Sequence, residues 1–243
     1  MSTNFALHET FAHRTVSIGQ ERQPVIVVEN FLAHPETLAA SAAEQAFRNA
    51  PGNFYPGLKA PLPPAYGETI VMSLGALIVR TFGIQANGVR LSEASFSLVT
   101  TPESALLPRQ RIPHYDSDNP NQIAILHYLC GPEHGGTAFY RHNRSKIELV
   151  TPERAAHFHA LTRQDAEFGE PPPGYPRASP AYEQVAVFEA RFNRAIVYRS
   201  ASLHSGVIPP NHPLTPDPKT GRLTANTFLV FFNQRTPSSG ASV

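Results

Sequence analysis

The chain has 243 residues, 41% of them hydrophobic and 16% charged, which is enough for one sizeable core and too apolar for an intrinsically disordered protein. One cysteine, Cys130, excludes an intrachain disulfide framework and any multi-cysteine zinc or iron–sulfur site, and 20 basic against 19 acidic residues leave a net charge of +1. That balance gives no electrostatic footprint for nucleic acid or an anionic membrane, so a small molecule or peptide is the expected partner.

The first twenty residues mix polar and apolar side chains and lack the apolar stretch of a secretory signal. Apolar runs such as Phe228–Phe232 are far shorter than the roughly 20 residues of a membrane helix. The expectation is a cytoplasmic protein. A strand is expected over Pro24–Glu29, followed by an alanine-rich helix from Pro35 to about Asn49, with proline suited to its first turn. Segment 50–67, broken by Pro51, Gly52, Pro56, Gly57, Pro61, Pro63, Pro64 and Gly67, reads as a loop, and a second helix over Ser73–Phe82 ends at Gly83. From Val89 the texture becomes that of short alternating strands: Arg90–Val99, Gln122–Cys130, Thr137–Tyr140, Gln184–Ala190, Ala195–Tyr198 and Leu223–Phe232. The pair Gly135-Gly136 reads as a turn. A helix from Thr151 to about Phe168, the proline-rich stretch Glu170–Pro180 and a frayed tail, Ser238–Val243, complete the pattern. Such a chain is mainly β with flanking helices: a single unit, with residues 1–88 as a helical and loop support and 89–235 as a closed or sandwiched β core.

One short motif carries chemistry. In Pro113-His-Tyr-Asp-Ser, residues i and i+2 of an extended segment point the same way, so His114 and Asp116 can share one ion while Tyr115 turns aside. His204, in Ser202-Leu-His-Ser-Gly206, is the candidate third ligand. Two histidines and a carboxylate with open positions opposite them form the ligand set of non-haem Fe(II). A pair of this kind arises by chance in a histidine-rich chain, so its context matters. From Phe96 to Phe232 the order is a strand, His114-Tyr-Asp116, a strand ending Leu126-His-Tyr-Leu129, Gly135-Gly-Thr-Ala-Phe139, Asn193-Arg-Ala-Ile-Val-Tyr198, His204-Ser-Gly206, and Gly221-Arg-Leu-Thr-Ala-Asn226 opening the last strand. In this order the chain resembles the Fe(II)/2-oxoglutarate-dependent oxygenases, particularly the prolyl-hydroxylase-like group.

The resemblance implies a double-stranded β-helix, or jelly roll, and an enzyme that uses Fe(II), O2 and 2-oxoglutarate, forms succinate and CO2, and hydroxylates its substrate. It implies His114, Asp116 and His204 as metal ligands. Arg222 takes the place of the basic residue that holds the distal carboxylate of 2-oxoglutarate, a task suited to its planar fork of donors. Thr224 would add a hydroxyl two residues along, and Tyr128 matches a cosubstrate-binding tyrosine on the strand after the H-x-D motif. Asp116 disfavours halogenation, since halogenating relatives have Ala or Gly there. The interval from His204 to Arg222 is longer than in the family and is filled by Pro209–Pro218, an inserted loop. His157 and His159 read as exposed, His127 as facing away from the metal, and His134 and His142, which flank the glycine turn, as ordinary loop residues or as part of the substrate mouth. The rival readings are a cupin-type metalloenzyme and a metal-free jelly-roll binding module. The substrate, an amino acid, peptide or small natural product, and the oligomeric state are not specified by these residues.

Overall fold

The structure is a computed structural model that describes residues 5–49, 54–167 and 169–234. Ten strands and three α-helices run in the order β1 (Ala12–Ile18), β2 (Gln23–Glu29), α1 (Pro35–Ala43), β3 (Gly57–Pro61), α2 (Pro64–Phe82), β4 (Gly88–Val99), β5 (Gln122–Tyr128), β6 (Gly136–His142), α3 (Pro152–Glu167), β7 (Tyr182–Glu189), β8 (Arg194–Arg199), β9 (His204–Val207) and β10 (Leu223–Phe232). Seven strands form a major sheet ordered β1-β2-β8-β5-β10-β4-β3, and three form a minor sheet ordered β7-β6-β9, with all pairings antiparallel. The two sheets face each other as a jelly roll.

Alternation along the central strands sets the layers. In β2, Ile26 and Val28 join the core beneath the helices, while Val25 and Val27 join the packing between the two sheets. β10 behaves likewise: Leu223, Ala225, Leu229 and Phe231 pack in the helix-side core, whereas Arg222, Thr224, Asn226, Phe228 and Val230 border a cavity between the sheets. Helix α2 covers the outer face with Tyr66, Ile70, Leu74 and Ile78, one residue per turn and each fully buried. Each such side chain contributes about 1.5–3 kcal/mol by leaving water. Gly83 ends the helix in the left-handed region, φ 61°, as the sequence predicts.

Several elements differ from expectation. Helix α2 begins at Pro64, nine residues before Ser73, because Pro63 and Pro64 serve as N-cap and first turn, and because Gly67 makes room for the Leu91 side chain. Helix α1 stops at Ala43, short of Asn49; beyond it Arg48 pairs with Lys59 across a β-bridge. Segment 50–67 is not all loop, since β3 lies within it as an edge strand, the one place where Pro61 is tolerated. With β1, which the sequence reading missed, the first 88 residues contribute three strands to the major sheet besides two helices. Pro51, Gly52, Phe168, the segment Ser238–Val243 and the expected core boundary at residue 235 lie outside the described residues. Among the described residues, no helix is long and apolar enough to cross a membrane.

Candidate metal centre and its cavity

His204 opens β9 and pairs with Phe139 of β6 on one side. On its other side it exchanges both backbone hydrogen bonds with His114: the His114 N–H donates to the His204 carbonyl at 2.9 Å and the His204 N–H to the His114 carbonyl at 2.8 Å. Directly opposed residues of an antiparallel pair project to the same face. The Asp116 N–H then donates to the carbonyl of Ser200, in the turn between β8 and β9, so the His114–Asp116 segment is tied to that turn as well as to the edge of the minor sheet. The backbone thereby fixes the spacing of all three side chains.

Their metal-facing atoms converge. Nε2 of His114 and Nε2 of His204 each lie 3.6 Å from a different oxygen of Asp116, and the candidate ligand atoms all lie within 4.8 Å of one another. Metal–ligand bonds of about 2.0–2.2 Å place neighbouring ligands about 3 Å apart, a distance that small side-chain rotations reach. His204 donates from Nδ1 to the Ser202 carbonyl at 2.9 Å, which puts its lone pair on Nε2, where a metal would take it. The His114 side chain is 54% accessible from the cavity. Protein atoms nevertheless desolvate it, and together with the neighbouring His204 they push its pKa down to about 3, so the ring is neutral and ready to ligate. Burial raises the pKa of Asp116; His204 and Lys59 oppose that shift and Glu93 adds to it. A partly desolvated carboxylate facing two imidazoles, with no short hydrogen bond spent among them, is a donor set suited to a divalent cation.

The adjoining cavity has a volume of about 790 Å³ and is bordered by all three residues. Arg222 precedes β10 and is buried; its Nε and Nη2 donate to the carbonyls of His134 and Gly136 at 3.2 and 2.6 Å, while Nη1 has no hydrogen-bond partner among the described residues. The strand carrying His204 passes beside it, for a Cβ added at Gly206 would lie 3.7 Å from Nη2. Thr224 borders the cavity next along. Tyr128 is fully buried one layer behind the wall, and its O–H donates at 2.7 Å to the hydroxyl of Thr137, which does border the cavity. Burial pushes the Tyr128 phenol up to about 12, and the Arg222 charge opposes that shift. The same charge is felt at Tyr55, Tyr175 and Tyr198, which border the cavity around it. Sequence reasoning missed these three and Thr137. Tyr198 and Thr137 were open to it through strand alternation, but Tyr55 and Tyr175 come from proline-rich segments with no period to read.

The remaining histidines sort by their partners. His127 lies in the helix-side core between the Tyr66 hydroxyl, 3.0 Å from Nδ1, and Asn193 Oδ1, 3.2 Å from Nε2. His142 is buried and bonded at both nitrogens, to Ser145 at 2.8 Å and to Asp165 at 2.7 Å. His134 meets His212 of the inserted loop at 2.9 Å. Tyr115 turns from the metal-facing side toward α3, where its hydroxyl lies 2.9 Å from Nε2 of His159.

Fold and donor set together define the class: a jelly roll with a two-histidine, one-carboxylate cluster opening onto a cavity between its sheets. The chain belongs to the DUF6445 family, described as a family of unknown function, whose model matches residues 9–229. No curated protein matches it. Among solved structures it is similar to HygX from Streptomyces hygroscopicus with nickel and 2-oxoglutarate bound, at a TM-score of 0.52 and 14% identity over 91% of this chain and 89% of that one. A second HygX structure, with nickel, 2-oxoglutarate and hygromycin B, gives 0.45 at 11% identity over 90% and 82% of the two chains. SnoN, a non-heme alpha ketoglutarate dependent epimerase from nogalamycin biosynthesis, gives 0.48 at 12% identity over 91% and 88%.

Proposed function

We propose that the protein is an Fe(II)- and 2-oxoglutarate-dependent oxygenase that hydroxylates an amino acid, peptide or small natural product. The observation that carries this reading is the convergence of three unspent ligand atoms, on His114, Asp116 and His204, at the wall of a cavity that also holds the buried cation Arg222. HygX, a protein of this fold, holds nickel and 2-oxoglutarate, which supports the same pair of ligands here. Bound iron supplies the activation of O2 that is coupled to decarboxylation of 2-oxoglutarate to succinate and CO2.

The chain's own residues do the rest. His114, Asp116 and His204 would hold the metal, with the Ser202 carbonyl fixing the tautomer of His204. Arg222, immobilised by two carbonyls, offers Nη1 to the far carboxylate of the cosubstrate, and the hydroxyls of Thr224 and Thr137 flank it. Tyr128 acts through Thr137 by holding that hydroxyl in place. Halogenating relatives have Ala or Gly where this chain has Asp116, so its carboxylate favours hydroxylation. A cytoplasmic location suits the buried free thiol of Cys130. We also place residues 1–243 in one unit, with 89–235 as its catalytic core.

Anaerobic addition of Fe(II) and then 2-oxoglutarate tests the reading. The expected result is a weak visible charge-transfer band and, on admitting O2, slow uncoupled succinate formation. Absence of both rejects it in favour of a metal-free binding module; the band without succinate formation rejects the oxygenase and retains only a metal site.

A further inference from the structure

The cavity is graded along β10. Arg222 and Thr224 mark one end; Phe228 and Val230 mark the other. Between them, on the wall built by β3 and β4, stands an ion pair: Nζ of Lys59 donates to Oε1 of Glu93 at 2.7 Å. Both residues border the cavity, and both charges are felt at Asp116. Lys59 is the more enclosed, 19% exposed against 49% for Glu93.

Regular alternation puts Glu93 on the cavity face with Ser95 and Ser97, and a local irregularity follows it. Along β10, Phe228 opposes Glu93 but the next residue, Leu229, opposes Leu91, so Ser92 is an extra residue in β4. This bulge breaks the alternation, with the result that the adjacent residues Ser92 and Glu93 both border the cavity while Leu91 packs toward Gly67 of α2. Without it, the alternation that carries Ser95 and Ser97 opposite Asn226 and Thr224 would continue past Glu93 to Leu91 and bring an apolar side chain to the mouth. The Ser95 hydroxyl, 3.4 Å from Oε1, steadies the carboxylate.

An ion pair on a cavity wall is selective in a particular way. A ligand bearing only a negative charge takes Lys59 and strands Glu93; one bearing only a positive charge does the reverse. A ligand with an ammonium and a carboxylate on neighbouring atoms satisfies both at once. We propose that Lys59 and Glu93 are the substrate-recognition residues of this site, Lys59 binding a carboxylate and Glu93 an ammonium, and that the substrate is a zwitterion of the free α-amino acid type. Its remaining part extends past Phe228 toward Phe54, over which the Arg109 guanidinium sits at 3.7 Å. This inference rests on the oxygenase reading for its chemistry but not for its binding step.

The test uses the full-length iron-loaded protein and the twenty common α-amino acids, each also as its N-acetyl and carboxamide derivative. The expected result is that one or a few free amino acids raise succinate formation above the uncoupled rate and that both derivatives of each fail to do so. Lys59→Met should raise the KM for the active amino acid about 10- to 100-fold and lose the discrimination against its carboxamide, and Glu93→Gln should do the same for the N-acetyl form. In both variants the circular dichroism spectrum and the melting temperature should match those of the wild type, which shows that they fold. Equal stimulation by a blocked derivative, unchanged KM in both variants, or no stimulation by any zwitterion in a protein with a normal uncoupled rate overturns the proposal. Should the uncoupled rate and the band be missing from the wild type, the oxygenase reading is what fails; amino-acid binding is then judged by thermal shift, where no shift overturns it and a shift lost in Lys59→Met sustains it.

Discussion

Two kinds of histidine–carboxylate grouping occur in this molecule. At the end of β6, His142 has both ring nitrogens committed, one to Ser145 and one to Asp165, and Asp165 in turn receives Nη1 of Arg144 at 2.6 Å. Across the minor sheet, His114, Asp116 and His204 approach each other at 3.6 Å and complete none of these bonds. The first grouping ties α3 to the β6 turn and is finished without a ligand. The second holds its atoms apart at a separation that suits a cation. Composition cannot distinguish them; what distinguishes a site from a strut is whether its lone pairs are spent.

That contrast is open to direct attack. Asp116→Ala should reduce succinate formation by more than about a hundredfold, since a ligand matters at least as much as the outer partners that tune one, and should abolish any Fe(II)-induced rise in melting temperature. The same substitution should leave the metal-free protein no less stable, because it removes a carboxylate whose ionised form burial disfavours. Full turnover in that variant sinks the triad. Arg222→Gln should raise the KM for 2-oxoglutarate about 10- to 100-fold with kcat little altered, as for a charge-assisted hydrogen bond of about 1.5–3 kcal/mol; an unchanged KM would move the cosubstrate elsewhere. Asp165→Ala, on the strut, should cost about 1–3 kcal/mol of stability in urea titrations and leave the iron band intact.

Acid offers a finer separation. His127 is buried, with its pKa lowered to about 3, chiefly by desolvation and against the pull of its bond to Asn193. An unfolded histidine titrates near 6.5, so this group withholds no stability above that pH and costs about 1.4 kcal/mol per pH unit as the solution is acidified from about 6.5 toward 3. His127→Gln should remove that slope in urea titrations between pH 6.5 and 5. Asp165 acts lower on the scale. Burial raises its pKa, but hydrogen bonds from Arg144 and His142 outweigh this and hold it below the usual carboxylate range. Its contribution is therefore present above the unfolded pKa near 4 and is lost as pH falls through the depressed folded value, so Asp165→Asn should flatten the acid limb below about pH 4 and nothing above it.

Much of this was legible in the sequence, and for physical reasons. Strand-like composition exposed β2, β4, β5 and β10; the family resemblance singled out Arg222, and period two along β10 put Thr224 on the same side, where both border the cavity. The H-x-D spacing placed His114 and Asp116 on one face, which backbone pairing with His204 and Ser200 now explains. What was hidden is long-range or aperiodic. Strand β1 has mostly exposed residues, so little apolar alternation announces it. Helix α2 is masked by two prolines and a glycine that do opposite jobs, the prolines starting the helix and Gly67 making space for Leu91. Tyr55 and Tyr175 reach Arg222 from segments whose course is set by packing alone. The assignment of Tyr128 to the cosubstrate becomes indirect, because the wall is made by Thr137 in front of it.

The row of alternate residues on β10 has a consequence for how such a protein changes over generations. In the proposed reading this row carries the cosubstrate grip at its start and the substrate wall at its end; all of it borders one cavity, and the two ends are joined only by a parity rule. Loss of a single residue between Thr224 and Phe228 would leave Arg222 and Thr224 in place, swing Phe228 and Val230 outward, and bring Leu229 and Phe231 inward. The bulge at Ser92 shows that the neighbouring strand already tolerates such a slip. One insertion or deletion can therefore rewrite one end of the cavity wall while the Arg222 end stays as it was.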